Sequence, residues 1–458
     1  MSGFGKRPAV EAEMLAPAEQ PSEPARSNVV SLVMPQNADF IRDQVMLQIE
    51  PSAAVRMTKD ELARFVNGLV SQIANEKKLL LNQAAQDGLA GEIVDEMVGL
   101  GPIEPLLADP AICDILVNGP NQIYVEKQGK LELTNLKFRH DAHVLHVAQR
   151  IASSIGRTID ETTPMLDARL ADGSRVNIII PPLALNGPSL SIRKFSRQML
   201  SIGHLVTEGS ITPQVAQALE IFARCRLNII VSGGTGSGKT TLLNALSEWI
   251  HPGERIVTIE DTAELQLQQE HVIRLETRPA NIEGRGMIDQ GHLVRNALRM
   301  RPDRIILGES RGPEAFDMMQ AMNTGHAGSM ATVHANSARD ALARIENMIL
   351  MGNANLPVRA IRTQLASAVD VIIHTERMHD GVRRVNEVVE VVGIENDVVI
   401  LASLFKFQYR GTLPDGKIDG VMEATPMPPR FLPRIQYFGL DGALLETLGV
   451  QRPRLGKA

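Results

Sequence analysis

Residues 233–240 read Gly233-Gly234-Thr235-Gly236-Ser237-Gly238-Lys239-Thr240, with a further threonine, Thr241, behind them. A glycine, four residues, then Gly-Lys-Thr is the spacing of a loop whose backbone amides wrap phosphate oxygens. The glycines let successive amides turn inward, and a helix opening directly after the loop adds the partial positive charge of its N-terminus. Lys239 is expected to reach the β and γ oxygens of a nucleoside triphosphate, and Thr240 to ligate Mg²⁺. The plainer alternative is a glycine-rich turn with an incidental lysine. It fits poorly here, because an apolar, β-rich run at 227–231 precedes the loop and a helix is expected at 241–250.

Three further groups of residues suit the same chemistry. A strand expected at 256–259 ends in Glu260-Asp261, with Glu264 following, and a second at 305–307 runs into Glu309. Carboxylates just past the carboxyl edge of a parallel sheet stand where nucleotides bind, and one of them can orient or deprotonate the attacking water. The alternatives are a solvated acidic turn and a structural carboxylate. In a simple phosphate-loop pattern an Asp ends the second strand; here Asp303 precedes it and Glu309 follows it, and Glu309 is favoured for metal and water. His326 and His334 flank a strand expected at 330–333, where sensing of a γ-phosphate suits them better than metal ligation, for which no third ligand is suitably spaced. Arg274, Arg278, Arg285, Arg295, Arg299, Arg301, Arg304 and Arg311 enrich this region in arginine, and a subset could clamp a triphosphate. Arg193 and Lys194 adjoin on another expected strand, so at most one of them faces a given cleft.

These groups need a parallel sheet covered on both faces, and the alternation of buried-type strands with helices from 227 onward predicts one. Upstream, short strands at 112–117 and 122–126, a helix near 143–155 and strands at 175–180 and 190–195 suggest a small α+β unit. A helix starting after Thr58 carries a capping box with Glu61 and an apolar face of Leu62, Phe65, Val66, Leu69, Val70 and Ile73. Residues 1–40, rich in proline, alanine, serine and glutamate, read as a disordered tail. The 458-residue chain is 44% hydrophobic and 22% charged with a net charge of −6, ordinary for a globular protein and without a global attraction to nucleic acid. Cys113 and Cys225 lack metal-ligand spacing and suit a reducing compartment. No apolar run approaches the ~18 residues of a membrane helix, so a cytoplasmic protein is expected.

Taken in order, Gly-Gly-Thr-Gly-Ser-Gly-Lys-Thr-Thr, Ile-Glu-Asp-Thr-Ala-Glu264, Ile-Leu-Gly-Glu309 and Thr-Gly-His326 through His334 resemble the Walker A, Asp box, Walker B and His box of the type II and type IV secretion ATPases. Val272-Ile-Arg-Leu-Glu-Thr-Arg-Pro, Asn281-Ile-Glu-Gly-Arg-Gly, Leu293 to Arg304, Ala331-Thr-Val-His-Ala-Asn-Ser, Gly101-Pro-Ile-Glu-Pro-Leu-Leu and Asp114-Ile-Leu-Val-Asn-Gly-Pro are similar to the CpaF, or tight-adherence (Tad), branch. Ser310 departs from the apolar residue common there. The resemblance implies an α/β protein: a RecA-like phosphate-loop core at 205–400, hinged near 201–209 to a smaller α+β nucleotide-sensing domain at 101–204. A helical region at 41–100 and an appended element at 401–458 complete it. It further implies ATP and Mg²⁺ as ligands, Lys239 on phosphate, Glu264 as catalytic acid or base, Glu309 on metal, and His326 and His334 lining the pocket. Arg193, and with it Arg175, would be lent to the nucleotide by the N-terminal domain. The implied assembly is a homohexamer at the cytoplasmic face of the inner membrane, acting on a platform protein to build a pilus. A DNA-translocating motor and a low-turnover assembly scaffold are the alternatives. Lys239→Ala is expected to abolish ATP hydrolysis and weaken nucleotide binding, as read by phosphate release and by titration with a fluorescent nucleotide; unchanged turnover would refute the phosphate-loop assignment.

Overall fold

The computed structural model of the chain describes residues 35–49, 57–127, 130–170, 172–195, 200–278, 280, 285–352 and 355–450. Most of the expected disordered tail therefore lies outside the described residues, as do 281–284 of the Asn281–Gly286 string. Its last residues differ from expectation, because a helix spans Pro35–Gln48. Proline is tolerated in a first helical turn, where its missing N–H would be unpaired in any case. The chain divides into two compact units, residues 1–104 and 105–458.

The first unit packs the helices Pro35–Gln48, Lys59–Glu76 and Gln83–Met97 around Ile41, Val45, Leu62, Val66, Val70, Ile73, Leu89 and Ile93. Its second helix has the expected capping box: Thr58 N donates to Glu61 Oε2 at 2.9 Å and Glu61 N to Thr58 Oγ1 at 3.3 Å. Phe65, expected on the apolar face, is 46% exposed. It flanks the 62–66–70–73 strip that makes the core.

The second unit holds two sheets. Strands β1 (Ile112–Asn118), β2 (Ile123–Lys127), β3 (Lys130–Leu133), β4 (Met165–Arg169), β5 (Arg175–Ile179) and β6 (Ser189–Arg193) form an antiparallel sheet in the order β3-β2-β1-β6-β5-β4. The other sheet is formed by β7 (Ile229–Gly233), β8 (Ile256–Glu260), β9 (Val272–Glu276), β10 (Arg304–Ser310), β11 (Met330–His334), β12 (Val371–Arg377), β13 (Arg383–Glu395), β14 (Val398–Thr412) and β15 (Ile418–Ala424). Its order is β15-β14-β13-β12-β7-β11-β10-β8-β9. From β12 to β9 all pairings are parallel; β12 to β15 form an antiparallel meander. This is an α/β, RecA-like core beside a smaller α+β layer. Successive residues of the parallel strands feed opposite faces, as the pleat demands: Ile229, Val231, Ile256 and Ile306 enter one core, and Ile230, Val257, Ile305 and Leu307 the other.

Two boundaries differ from expectation. The proposed hinge at 201–209 contains a helix, Ile202–Thr207, N-capped by Ser201 and anchored in the core by Ile202 and Leu205. Position 400 falls inside β14, and Ile435, Leu444 and Leu448 from the last two helices fill the same core as β7. The end of the described chain thus completes the core's apolar face, because helix Pro213–Arg224 would otherwise leave Phe222 uncovered; Phe431 meets that ring edge-on at 5.4 Å.

Arg304 is wholly buried at the start of β10. Its guanidinium donates to Glu254 Oε2 at 2.6 Å and Oε1 at 2.9 Å, and to the carbonyls of Ala223 and Gly328. A buried ion losing one partner leaves the other charge uncompensated, so Arg304→Ala should lower unfolding free energy by about 3–5 kcal/mol in denaturant titration. A loss below about 1 kcal/mol, the value of an exposed pair, would show that the pair is not buried in solution.

Candidate active site

The phosphate loop joins β7 to helix Lys239–Ser247 at the carboxyl edge of the parallel sheet. Two glycines are required there by geometry. Gly238 adopts φ +95° at the helix N-cap, a conformation closed to most side chains. At Gly233 a β-carbon would stand 2.4 Å from both Thr375 O and Ser237 Oγ. The loop is locked to its neighbour strand: Ser237 Oγ lies 3.0 Å from Thr375 Oγ1, which donates to Ser232 O at 3.2 Å. Ser232 Oγ in turn lies 3.0 Å from His374 Nδ1, in a ring whose pKa burial pushes down. Thr235 is exposed at the tip of the loop; Gly234, Gly236, Thr240 and Thr241 are half-buried.

Lys239 folds back along the loop, its Nζ donating to Gly233 O at 3.0 Å and Gly234 O at 2.8 Å. Burial lowers its pKa; the charge of Glu309 opposes that shift, while those of Arg311 and Arg193 reinforce it. Glu309 Oε2 accepts from Arg311 Nη2 at 2.7 Å, and this bond raises the Arg311 pKa. Glu264 is half-buried, on the loop after β8. Glu260, at the end of β8, is 3% exposed, and burial raises its carboxyl pKa to about 7.

The antiparallel sheet contributes a row of charges. Asp114, Arg193, Arg175 and Arg169 stand directly opposite one another across β1, β6, β5 and β4, so their side chains share a face. Arg175 is held by Asp167 through Nε to Oδ1 at 3.1 Å and Nη2 to Oδ2 at 2.5 Å. That bond raises its pKa, with Glu264 and Asp261 acting in the same direction. Arg169 Nη1 donates to Glu276 Oε2 at 3.0 Å, at the end of β9. Lys194 points elsewhere, donating to Leu106 O and Asp109 O.

Of the expected site residues, Lys239, Glu264, Glu309, Arg193 and Arg175 come together with the loop. His334 does as well, since it pairs with Gly233 across β11 and β7. His326 does not: it precedes β11, whose first residue, Met330, pairs with Ile229 at the far edge of the sheet. The strand itself separates the two histidines by ~13 Å at about 3.3 Å per residue, and His326 Nδ1 instead lies 3.3 Å from Ala321 O. Arg274 is mid-strand on the edge strand β9 and exposed. Arg278, whose Nε donates to Gly286 O, lines a ≈690 Å³ cavity with Arg175, Arg311 and Asp261. Arg295 pairs with Asp317, Arg299 donates to Arg295 O, and Arg304 is structural. Sequence reading missed Arg169 and the β12–β13 hairpin, which sets Arg377 and Arg383 beside Gly236 and Gly238. These two, with Ser237, Thr241 and Leu205, line a ≈630 Å³ cavity next to the loop. Distance in sequence hid them; no local motif marks either.

Among the described residues no group of three or more His, Cys, Asp or Glu could hold a metal. Mg²⁺ bound to nucleotide phosphates needs few protein ligands, all oxygen, and the Thr240 hydroxyl and Glu309 carboxylate fit that donor set.

A Mycobacterium tuberculosis (strain CDC 1551 / Oshkosh) protein named for conjugal transfer is 39% identical over 299 residues, 64% of this chain and 84% of that one. The type IV secretion system protein PtlH homolog of Bordetella bronchiseptica is 36% identical over 332 residues, 66% of this chain and 96% of that one. Among solved structures, the VirB11 ATPase of the Brucella suis type IV secretion system, in complex with sulphate, is 31% identical, with 63% of this chain and 94% of that one covered and a TM-score of 0.34. The profile described as Type II/IV secretion system protein matches residues 96–392, a span that contains the phosphate loop, both carboxylates and the arginine row. On that match the chain belongs to the Type II/IV secretion system protein family.

Proposed function

We propose that the protein is an ATP-hydrolysing motor subunit of the CpaF branch, which drives assembly, and in some settings retraction, of a Tad or type IV-like pilus. It works as a homohexamer, in the cytoplasm and peripheral to the inner membrane, bearing on a membrane platform protein. The observation that supports the reading is the phosphate loop at the carboxyl edge of the parallel sheet, with Glu309 and Arg193 acting on the charge of Lys239 and Glu264 on that of Arg175. The membrane partner is required by the reading, since among the described residues no helix is long and apolar enough to cross a bilayer.

In this mechanism the loop amides and Lys239 hold the β and γ phosphates. Thr240 and Glu309 would hold Mg²⁺, which when bound would neutralise charge on the phosphoryl oxygens. Glu309 accepts from Arg311 Nη2 at 2.7 Å, which keeps a second cation beside the carboxylate that would hold the ion. Glu264 orients the attacking water and takes its proton. Arg193, with Arg175 beside it, reads the γ-phosphate, so closure of the antiparallel layer on the core reports triphosphate over diphosphate.

Conjugal-transfer names among the relatives favour a second reading, the motor of a DNA-transferring secretion machine. The net charge of −6 weighs against direct DNA contact; strong stimulation of turnover by DNA would favour this reading over the first. In the host, deletion of the gene should remove surface pili, restored by the wild type and not by Lys239→Ala.

Glu264→Gln and Glu309→Gln should each retain ATP binding while turnover falls, by ~10²-fold or more for the base; loss of folding with activity would make the residue structural. Arg193→Ala should lower turnover, narrow the affinity gap between ATP and ADP and blunt ATP-dependent compaction in small-angle scattering. Wild-type values in all three measurements would remove the arginine from the mechanism.

A further inference from the structure

Glu260 ends β8 with its side chain in the core, and its two carboxylate oxygens differ sharply. Oε2 accepts from Glu264 N at 2.8 Å and from Leu265 N at 2.9 Å. Oε1 is buried without a hydrogen-bond partner. Glu260 is the first acid of the segment, but with Oε2 committed to two backbone amides and the side chain buried, holding the loop suits it better than serving as the base. Its slot depends on the next strand: a β-carbon at Gly308, one residue before Glu309, would stand 2.7 Å from Glu260 Cγ.

The loop is pinned a second time just beyond. Leu265 is 1% exposed in the core, and Gln266 N donates to Asn244 Oδ1 at 2.9 Å. Asn244 lies on the helix that opens with Lys239. Successive amides at 264, 265 and 266 are thus tied to the end of β8 and to the phosphate-loop helix, while the Glu264 side chain stays half-buried at the site.

We infer that Glu260 is a positioning residue for hydrolysis, with Asn244 as the second pin: together they set the backbone of 264–266 so that the Glu264 carboxylate meets the water attacking the γ-phosphate. The inference rests on the reading of Glu264 as the base. It acts on the chemical step alone, because neither pin is directed at the nucleotide. A displaced base loses catalysis steeply, about 10²-fold for ~1 Å.

The test compares full-length wild type with Glu260→Met, which fills the slot without an acceptor, Glu260→Gln, which keeps an acceptor oxygen, and Asn244→Ala. The measurements are kcat, KM, binding of a fluorescent ATP analogue and thermal melting. Glu260→Met should lose about 10²-fold in kcat with KM and nucleotide affinity near wild type. Glu260→Gln should recover most of that loss, and Asn244→Ala should lower kcat at constant KM, which keeps the test open if Glu260→Met does not fold. The inference is overturned if Glu260→Met and Asn244→Ala both turn over at the wild-type rate. It is equally overturned if Glu260→Gln is as inactive as Glu260→Met, or if binding and melting fall in step with kcat. Glu264→Gln serves as the reference: if wild type hydrolyses ATP no faster than that variant, Glu264 is not the base and the inference falls with that reading, whereas a large loss in Glu264→Gln beside wild-type kcat in Glu260→Met and Asn244→Ala overturns the positioning alone.

Discussion

A phosphate loop works only if its amides are held still while they remain unbonded to the protein, and that demand governs the architecture here. The loop cannot stabilise itself with its own amides, so its neighbours must do so. Gly233 lies in register between His334 on β11 and Thr375 on β12. The hydroxyl chain from Ser237 through Thr375 to Ser232 O ties the loop to a strand far away in sequence. A larger residue at Gly233 would break that contact before it met any nucleotide. The parallel pairing of β11, β7 and β12 is therefore the foundation on which the site stands.

Charge balance follows from the same crowding. Lys239, Arg193, Arg175 and Arg311 gather where Glu264, Glu309 and Asp261 also gather. Like charges so gathered are tolerated with partners, and three of the four cations have one of a different kind: carbonyls for Lys239, Glu309 for Arg311, Asp167 for Arg175, while Arg193 is exposed. A triphosphate would offer these cations further opposite charge.

The distribution of apolar residues explains which parts pack as one. The helices before residue 104 close a core of their own. The last described helices instead complete the face that also holds Phe222 and the phosphate-loop helix, so removing them would uncover that core.

The sequence alone determined the local chemistry. Gly233 to Thr240 could be read as a phosphate loop because its function needs consecutive amides, and Thr58 with Glu61 as a helix cap because both partners lie within one turn. The alternation of strands and helices from 227 predicted the parallel sheet, since burial on both faces leaves an uninterrupted apolar run. What depended on pairing across the chain could not be read there. The flanking histidines looked equivalent until strand length set His326 at the far edge. Of eight arginines with similar surroundings, Arg304 is a core ion because Glu254, fifty residues away in sequence, meets it inside the fold, while Arg311 bonds the neighbouring Glu309. The Glu260 latch has the same origin: a carboxylate at a strand end reads as a base until the tertiary structure buries it and turns its oxygen toward two amides.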